Sequence, residues 1–480
     1  MFQKKHMIIL ESPILKIDKE KGVEHMKRIL FIVFICFMVL SILNRDKSYA
    51  NSTNIDYLDI KLTKTLSQKS VVNLESNTGF ALYDISDKSN IIKSIEDTKI
   101  KAILNGTGDI DLVNSQDTIT YTLSKDNTII IGSNTLENPT ITVEKDRYRD
   151  YIRLINKNNE IVIINHVDLE NYLYGVVPRE MSHTTHLEAL KAQAVASRSF
   201  TISNINKHSH EGFNLCDTTH CQVYSGFEYE RPSTNLAVSE TKGIMAYYDG
   251  KVIEAFYHST SSGFTEDSLN VWGGEVAYLK SVEDIFSLDS PYSNWSFSMK
   301  TSDLNDKLVL AGIDIGDLQG IEVMGTTLTG KVDKVKLIGS RREEIITGNN
   351  FRNLVGNTTL KSTWFNINNS GLSVSDKAYV ISGDNKSQAI DISKAYIIDG
   401  NEEKKVNRGT VSRAMGKDRV ENLGGYYPIS STEILIEGKG YGHGVGMSQY
   451  GAKKMAELGY SYDEILKYYY TGIEIIWAIE

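Results

Sequence analysis

The chain has 480 residues, 41% hydrophobic and 24% charged, with only six prolines. That is the profile of a globular protein of two or three domains without long disordered linkers. Formal net charge is −9, and because residues 1–50 hold nine Lys/Arg against five Asp/Glu, the remainder stands at −13. An acidic body with no Lys/Arg cluster argues against nucleic acid as a partner, and an anionic polymer would have to be held by local contacts.

Residues 29–43 form a nearly unbroken apolar run behind Met26-Lys27-Arg28. Fifteen residues is short for a bilayer span but suits the core of a signal peptide. Ser48-Tyr49-Ala50 supplies the small residues a signal peptidase reads; the alternative is an uncleaved anchor flanked by Asn44-Arg45-Asp46-Lys47. Either reading puts the body outside the cytoplasm. Residues 1–25 make little sense ahead of such a segment and read as a non-native extension, with Met26 as the natural start. Lys21-Gly22-Val23 is encodable by a purine-rich ribosome-binding sequence, a hypothesis that N-terminal sequencing tests.

Residues 51–150 are rich in Asn, Ser, Thr and Ile, with β-branched runs such as Thr128–Ile131 and Ile141–Val143 between turn residues. They read as a small β-rich accessory domain without a catalytic grouping: a wall-binding or spacer module, or plain scaffold. Beyond it, Ile152–Ile155 and Glu160–His166 are predicted strands paired through Asn156–Asn159. Tyr172–Val177 reads as another strand, ended by Pro178. A helix follows, with Thr185 and Glu188 forming a capping box and good helix formers to about Asn206. Glu180 would then sit in a short strand-to-helix connection between apolar segments. A carboxyl there is either a solvated turn residue or a general acid whose pKa its apolar neighbours raise.

Three histidines and two cysteines share residues 208–221. His210, Cys216, His220 and Cys221 would supply the two-thiolate, two-imidazole set that zinc takes, with His208 as substitute for either histidine. Four protein ligands would make the metal closed and structural, and three would leave room for a water and metal-assisted hydrolysis. The competing reading is a Cys216–Cys221 disulfide, which an extracytoplasmic location favours.

Gln222–Glu228 and Gly243–Phe256 read as strands around a polar crossing at 229–242. The run Tyr257-His258-Ser259-Thr260-Ser261-Ser262-Gly263 places hydroxyls and an imidazole after a buried strand and suits sugar recognition. A serine hydrolase is disfavoured, because Ser259 and His258 are adjacent and no nucleophile elbow surrounds them. Trp272-Gly273-Gly274 and Tyr292–Trp295 are sugar-stacking aromatics or simple core. Further strands are predicted at Gly320–Val323, Lys331–Gly339 and Glu433–Glu437, and a helix at Gly348–Val355; from 370 onward the chain is polar and β-like. The run from Gly438 to Gly451 has alternate glycines, which permit positive φ and close backbone approach, and it presents His443 as a candidate for contacting substrate. It is neither a dinucleotide fingerprint nor a P-loop. Ser448 should cap a helix to Leu458, and Ser461 with Glu464 a second one at Ile465–Tyr470.

Taken together, Tyr172-Leu-Tyr-Gly-Val-Val-Pro-Arg-Glu-Met, Leu187-Glu-Ala-Leu-Lys-Ala-Gln-Ala-Val-Ala-Ser-Arg, Phe256-Tyr-His-Ser-Thr-Ser-Ser-Gly, Val271-Trp-Gly-Gly and Gly442-His-Gly-Val-Gly-Met-Ser-Gln-Tyr-Gly-Ala resemble the SpoIID/LytB family across about 150–475. The resemblance implies an α+β catalytic region at 151–480 and a lytic transglycosylase acting on peptidoglycan glycan stripped of stem peptides. Its catalytic glutamate falls on Glu180, and its zinc-binding relatives' cluster looks like His210, Cys216, His220 and Cys221. Expected partners are glycan strands, an amidase (SpoIIP-like) and a membrane protein (SpoIIM-like); LytB-type members are instead amidase enhancers. A lone carboxyl suits this chemistry, since a usual glycosidase needs two while a lytic transglycosylase uses the sugar's own 6-hydroxyl in place of water. Arg198, further along the helix, is a candidate to orient Glu180 or a substrate carboxylate, or else a helix-surface arginine. Tyr257, His258, Ser259 and His443 complete the expected substrate contacts.

Overall fold

The computed structural model describes residues 56–63, 70–135, 139–368 and 433–477, with short strand segments between 377 and 428. The extension at 1–25, the apolar run at 29–43 and the cleavage motif at 48–50 lie outside these residues, as does much of the polar stretch from 370. No helix among the described residues is long and apolar enough to cross a membrane.

Two β-sheets enclose the first core. One runs Leu215–Cys216, Tyr57–Lys61, Glu160–Asp168, Tyr151–Lys157, Ile129–Ser133, Phe80–Asp84, Asp87–Ile95 in spatial order, so strands from before and after residue 150 share a sheet. The other runs Asp146–Arg149, Thr140–Val143, Val71–Glu75, Lys99–Leu104, Ile110–Asn114, Ile119–Leu123. Strands such as Val71–Glu75 alternate exposed and buried residues, and their inward side chains, among them Val72, Leu74, Ile100 and Leu112, meet Leu58, Ile60 and Leu154 of the first sheet. The expected hairpin is present. Tyr151–Lys157 pairs with Glu160–Asp168, and Asn158 and Asn159 turn at φ 55 and 62 in the left-handed region that a two-residue hairpin needs.

Eight helices occur among the described residues: α1 Leu169–Glu180, α2 Leu187–Ser203, α3 Pro232–Glu240, α4 Ser268–Trp272, α5 Thr301–Leu310, α6 Gly348–Val355, α7 Gln449–Glu457 and α8 Tyr462–Tyr469. The fold is α+β. In α1 the structure departs from the strand expected at Tyr172–Val177. The Asp168 carboxylate accepts from Glu170 N (2.9 Å) and Asn171 N (3.1 Å), capping the first turn, and Tyr172, Leu173, Val176 and Val177 then fall on one buried helical face. Pro178 lies inside this helix, and Met181 N still bonds Val177 O at its end. Glu180 is therefore the last residue of a helix, not part of a strand connection. The cap of α2 is His186, whose Nδ1 accepts from Glu188 N, and not Thr185. Glu188 is engaged elsewhere, by Lys191 and by Tyr462 N at 2.9 Å. The helix stops at Ser203.

α2 is buried over most of its surface, and its buried polar residues Gln193, Ser197, Arg198, Ser199 and Thr201 are hydrogen-bonded. Ala194 faces the first core, while Ala189, Leu190, Ala192, Val195 and Ala196 face a second one with Val445, Met447, α7, α8 and the pair Ile244–Tyr248/Glu474–Trp477. The caps expected of Ser448 on α7 and of Ser461 with Glu464 on α8 both form. Two other expectations change. Gln222–Val223 is loop and ends in a single turn at Phe227–Tyr229, and the polar crossing holds α3, with Pro232 in its first turn. A third core is built from α5, α6, the antiparallel strands Leu318–Thr326, Val332–Gly339 and Glu343–Thr347, and a three-stranded sheet of Trp295–Lys300, Glu433–Gly438 and Phe365–Asn368. The predicted elements at 320–323, 331–339, 348–355 and 433–437 fall within it.

Candidate functional site

The end of α1, the loop at 220–223, the strand Tyr257–His258 and the glycine-rich loop close around a cleft of about 700 Å³, lined among others by Glu180, Gln222, Glu254, Phe256, Tyr257 and His443. Glu180 is half-buried there. Gln449 Nε2 lies 3.5 Å from Glu180 Oε2 and 3.3 Å from Gln193 Oε1, and the Tyr257 hydroxyl and Val223 N–H also donate to the carboxylate. Burial raises the Glu180 pKa; these donors and the Arg179 charge oppose it without cancelling it. Gln222 Nε2 donates to the Tyr257 hydroxyl at 3.3 Å, so the carboxyl faces a wall of amides and hydroxyls.

The glycine-rich loop carries His443 into this cleft. Its glycines serve a close approach to the protein's own strand. Gly446 has φ 71, and a Cβ there would meet Phe256 O at 2.1 Å; Gly442 has φ 117, and its Cβ would meet His258 Cβ at 2.7 Å. Met447 and Ser448 then pair in parallel with Tyr257 and His258. His443 Nδ1 accepts from Val445 N at 3.1 Å, and the ring lies 5.3 Å from Trp272 and 6.0 Å from Phe256. Burial and the Arg352 charge push its pKa down to about 4, so it is neutral at physiological pH.

Tyr257 and His443 thus join Glu180. Three other predicted contacts do not. Arg198 is completely buried, and its fork grips Glu170, Nε to Oε1 at 2.8 Å and Nη2 to Oε2 at 2.6 Å, with Ile244 O and Val238 O as further acceptors. It orients neither Glu180 nor a substrate. His258 is buried behind the loop with Nδ1 on Val445 O at 3.1 Å, and desolvation holds its pKa far below the usual value. Ser259 uses its carbonyl to bind Tyr450 N and its hydroxyl lies 3.4 Å from that of Thr260, away from the cleft lining. Gln449 and Gln222 carried no sequence signal of their role, since each reaches the site only through folding. A second acid, Glu254, does line the cleft, and Glu188 does not.

On the cleft's other wall, His208, Cys216, His220 and Cys221 place one donor atom each within 4.8 Å of one another. His210 is not among them. It sits in the turn Ser209–Glu211 with its side chain 76% exposed, and that turn aims His208 inward instead. Both cysteines are free thiols, Sγ to Sγ 3.5 Å, farther apart than the about 2.05 Å of a disulfide bond. Four of the five remaining separations are 3.4 Å (Cys221 Sγ–His208 Nε2), 3.7 and 3.8 Å (Cys221 and Cys216 Sγ–His220 Nδ1) and 3.3 Å (His208 Nε2–His220 Nδ1), and the fifth, between Cys216 and His208, is within 4.8 Å. Tetrahedral zinc, with bonds of about 2.3 Å to sulfur and about 2.0 Å to nitrogen, sets its donors about 3.3–3.8 Å apart. The cluster fits that ion in donor type and spacing. Burial, with the neighbouring Cys216, pushes the Cys221 thiol up to about 11, a penalty that a cation between the sulfurs relieves.

A half-buried helix-end carboxyl in an open cleft walled by amides, aromatic rings and a candidate metal cluster, with Glu254 also in the lining, equips this α+β protein for acid–base chemistry. Residues 157–248 match the family described as Stage II sporulation protein. Over 336 residues the chain is 29% identical to an uncharacterized protein of Brachyspira hyodysenteriae, covering 70% of this chain and 74% of that one. It is 32% identical over 300 residues to the amidase enhancer of Bacillus subtilis, covering 62% of this chain and 39% of the enhancer. It is 28% identical over 327 residues to stage II sporulation protein D of the same organism, covering 65% and 75%. The chain is thus similar to proteins of the SpoIID type, with the family match lying at residues 157–248.

Proposed function

We propose that this protein is an extracytoplasmic lytic transglycosylase that cleaves peptidoglycan glycan strands stripped of stem peptides. The observation that carries this reading is Glu180, half-buried in the cleft lining, with its pKa raised by burial and no ion-pair partner among the described residues. Protonated, it donates to the glycosidic oxygen as the bond to C1 breaks. As carboxylate it then takes the proton of the sugar's 6-hydroxyl while that oxygen bonds C1, which yields a 1,6-anhydro end and returns the acid. Tyr257 and Gln449 hold the carboxyl through hydrogen bonds, and neutral His443 with Trp272 offers ring surface to the sugar. Zinc held by His208, Cys216, His220 and Cys221 would be closed by four protein ligands and would supply a cross-link, not a nucleophile. It would fix the loop whose Gln222 and Val223 wall the cleft.

A second reading, a non-catalytic wall-binding enhancer of an amidase, is supported by the similarity to the Bacillus subtilis amidase enhancer. In either case an amidase and a membrane protein of the sporulation type are the proposed partners. The test digests peptide-stripped glycan with the full chain and with its Glu180→Gln and Glu254→Gln variants, and weighs the products. Anhydro ends lost only in Glu180→Gln support the proposal. Reducing ends that require both carboxyls mark an ordinary hydrolase, and no cleavage by wild type leaves the enhancer.

A further inference from the structure

A second groove, of about 460 Å³, lies on the unit that carries the third core. The sheet of Trp295–Lys300, Glu433–Gly438 and Phe365–Asn368 has two different faces. Phe297, Ile434, Ile436, Phe365 and Ile367 turn toward the core, while Ser296, Glu437 and Asn366 stand opposite one another in a single row on the outer face. Trp295 and Trp364, both part-exposed, border the groove, Trp364 beside the row and Trp295 at the end of the sheet, where it also packs against the third core. A Cβ on Gly438 would meet the Trp295 ring at 2.3 Å, so that glycine is what lets the indole lie across the strand. The Lys439 ammonium sits 4.5 Å over Trp364, and that of Lys361 lies 5.7 Å from Trp295. Among the described residues neither lysine has a carboxylate partner, which is notable in so acidic a body.

An amide, a hydroxyl and a carboxylate in one row, with part-exposed indole rings at its borders, are what an acetylated sugar needs. Its C–H face packs on an aromatic ring, and its hydroxyl and amide groups exchange hydrogen bonds with the row. The two ammoniums add a requirement for negative charge on the ligand. An extended peptide would call for side-chain pockets, and the row has none. The groove is also tied to the loop that carries His443. Trp295 Nε1 donates to Gly440 O at 2.8 Å, Gly442 N donates to Lys361 O at 2.9 Å, and the next residue is His443. From Gly438 to His443 the chain spans at most about 18 Å.

We propose that this groove is a remote subsite for an anionic N-acetylated glycan, in which Lys439 and Lys361 hold a sugar carboxylate and Trp295 and Trp364 meet ring faces. The identity of the glycan rests on the reading of the Glu180 cleft; the site itself rests on its own geometry. Removing the stem peptide frees a carboxylate on alternate sugars of the strand, which is the charge the lysines would read.

The test uses the full chain with Glu180→Gln, so that nothing is cut, and measures by calorimetry its binding to soluble oligomers of alternating N-acetylglucosamine and N-acetylmuramic acid. Chito-oligosaccharides of equal length, which lack carboxylates, are the comparison. The expected result is tighter binding of the carboxylate-bearing oligomer, a preference erased by Lys439→Glu with at least a tenfold rise in Kd, and weaker binding of both oligomers by Trp364→Ala. Lys439 is a part-exposed residue, and an unchanged thermal midpoint shows that its variant is folded. A preference that survives Lys439→Glu, or failure of both oligomers to bind, overturns the proposal. Cleavage by wild type with that preference intact sinks the groove alone; loss of the preference in a protein that never cleaves sinks the catalytic reading alone.

Discussion

Replacing Arg198 by alanine removes two short charge-assisted hydrogen bonds to Glu170 and two to the carbonyls of Ile244 and Val238, and leaves the Glu170 carboxylate facing a void. The guanidinium is wholly buried and its partner 12% exposed, so neither charge has water to fall back on. Gly243 N remains as a donor to Glu170 at 3.3 Å, which is too little to solvate an anion. Breaking a buried pair from one side costs about 3–5 kcal/mol. If the body melts in units of 150–250 residues, a loss of that size lowers Tm by roughly 6–20 °C. Thermal melts followed by far-ultraviolet circular dichroism measure it, with Glu170→Gln/Arg198→Met as the control that removes both charges and recovers much of the loss. A Tm within 2 °C of wild type, with glycan binding abolished, would refute the structural assignment and return Arg198 to the substrate.

Glu180→Gln should reduce cleavage by about 10²–10⁴-fold, the usual contribution of a positioned acid–base group, while glycan binding persists in sedimentation with insoluble glycan. The same substitution should stabilise the protein at neutral pH. The folded-state pKa of Glu180 is raised, so its stabilising protonated form is complete below the unfolded value of about 4.3 and is lost as pH rises through the folded one. The Tm of the variant should therefore exceed that of wild type at pH 7 and converge with it near pH 4. Purified protein should carry one zinc by elemental analysis. His208→Ala and Cys216→Ser should lose it with a fall in Tm, and His210→Ala should keep it. Gly446→Ala should cost about 1–3 kcal/mol from the left-handed backbone alone, with more from the clash at Phe256 O, read as a lower denaturation midpoint.

What could be read in advance was local. The capping box of Ser461 and Glu464, the Asn-rich hairpin and the Ser448 cap are settled by residues a few positions apart, and all three form. The stretch at 172–177 was misread because a short apolar run suits a buried helix face as well as a strand, and the decisive residue, Asp168, lies ahead of it. His208 and His210 are indistinguishable by spacing. Only the turn at 209–211 shows which imidazole faces the thiols. The least legible fact was the fate of Arg198, whose partner Glu170 is 28 positions away on another helix. Glu180 was found through its motif, but its donors arrive from 223, 257 and 449, contacts no local pattern encodes.

Trp295 and Gly438 sit directly opposite one another in neighbouring strands, so everything between them leaves and re-enters the molecule within about 5 Å. A segment whose two ends meet at such a neck can be extended, trimmed or exchanged without changing the gap it bridges. His443 lies five residues past the neck, but Gly442 N rests on Lys361 O and the Arg352 charge acts on the His443 ring, so any such exchange would be felt at the cleft.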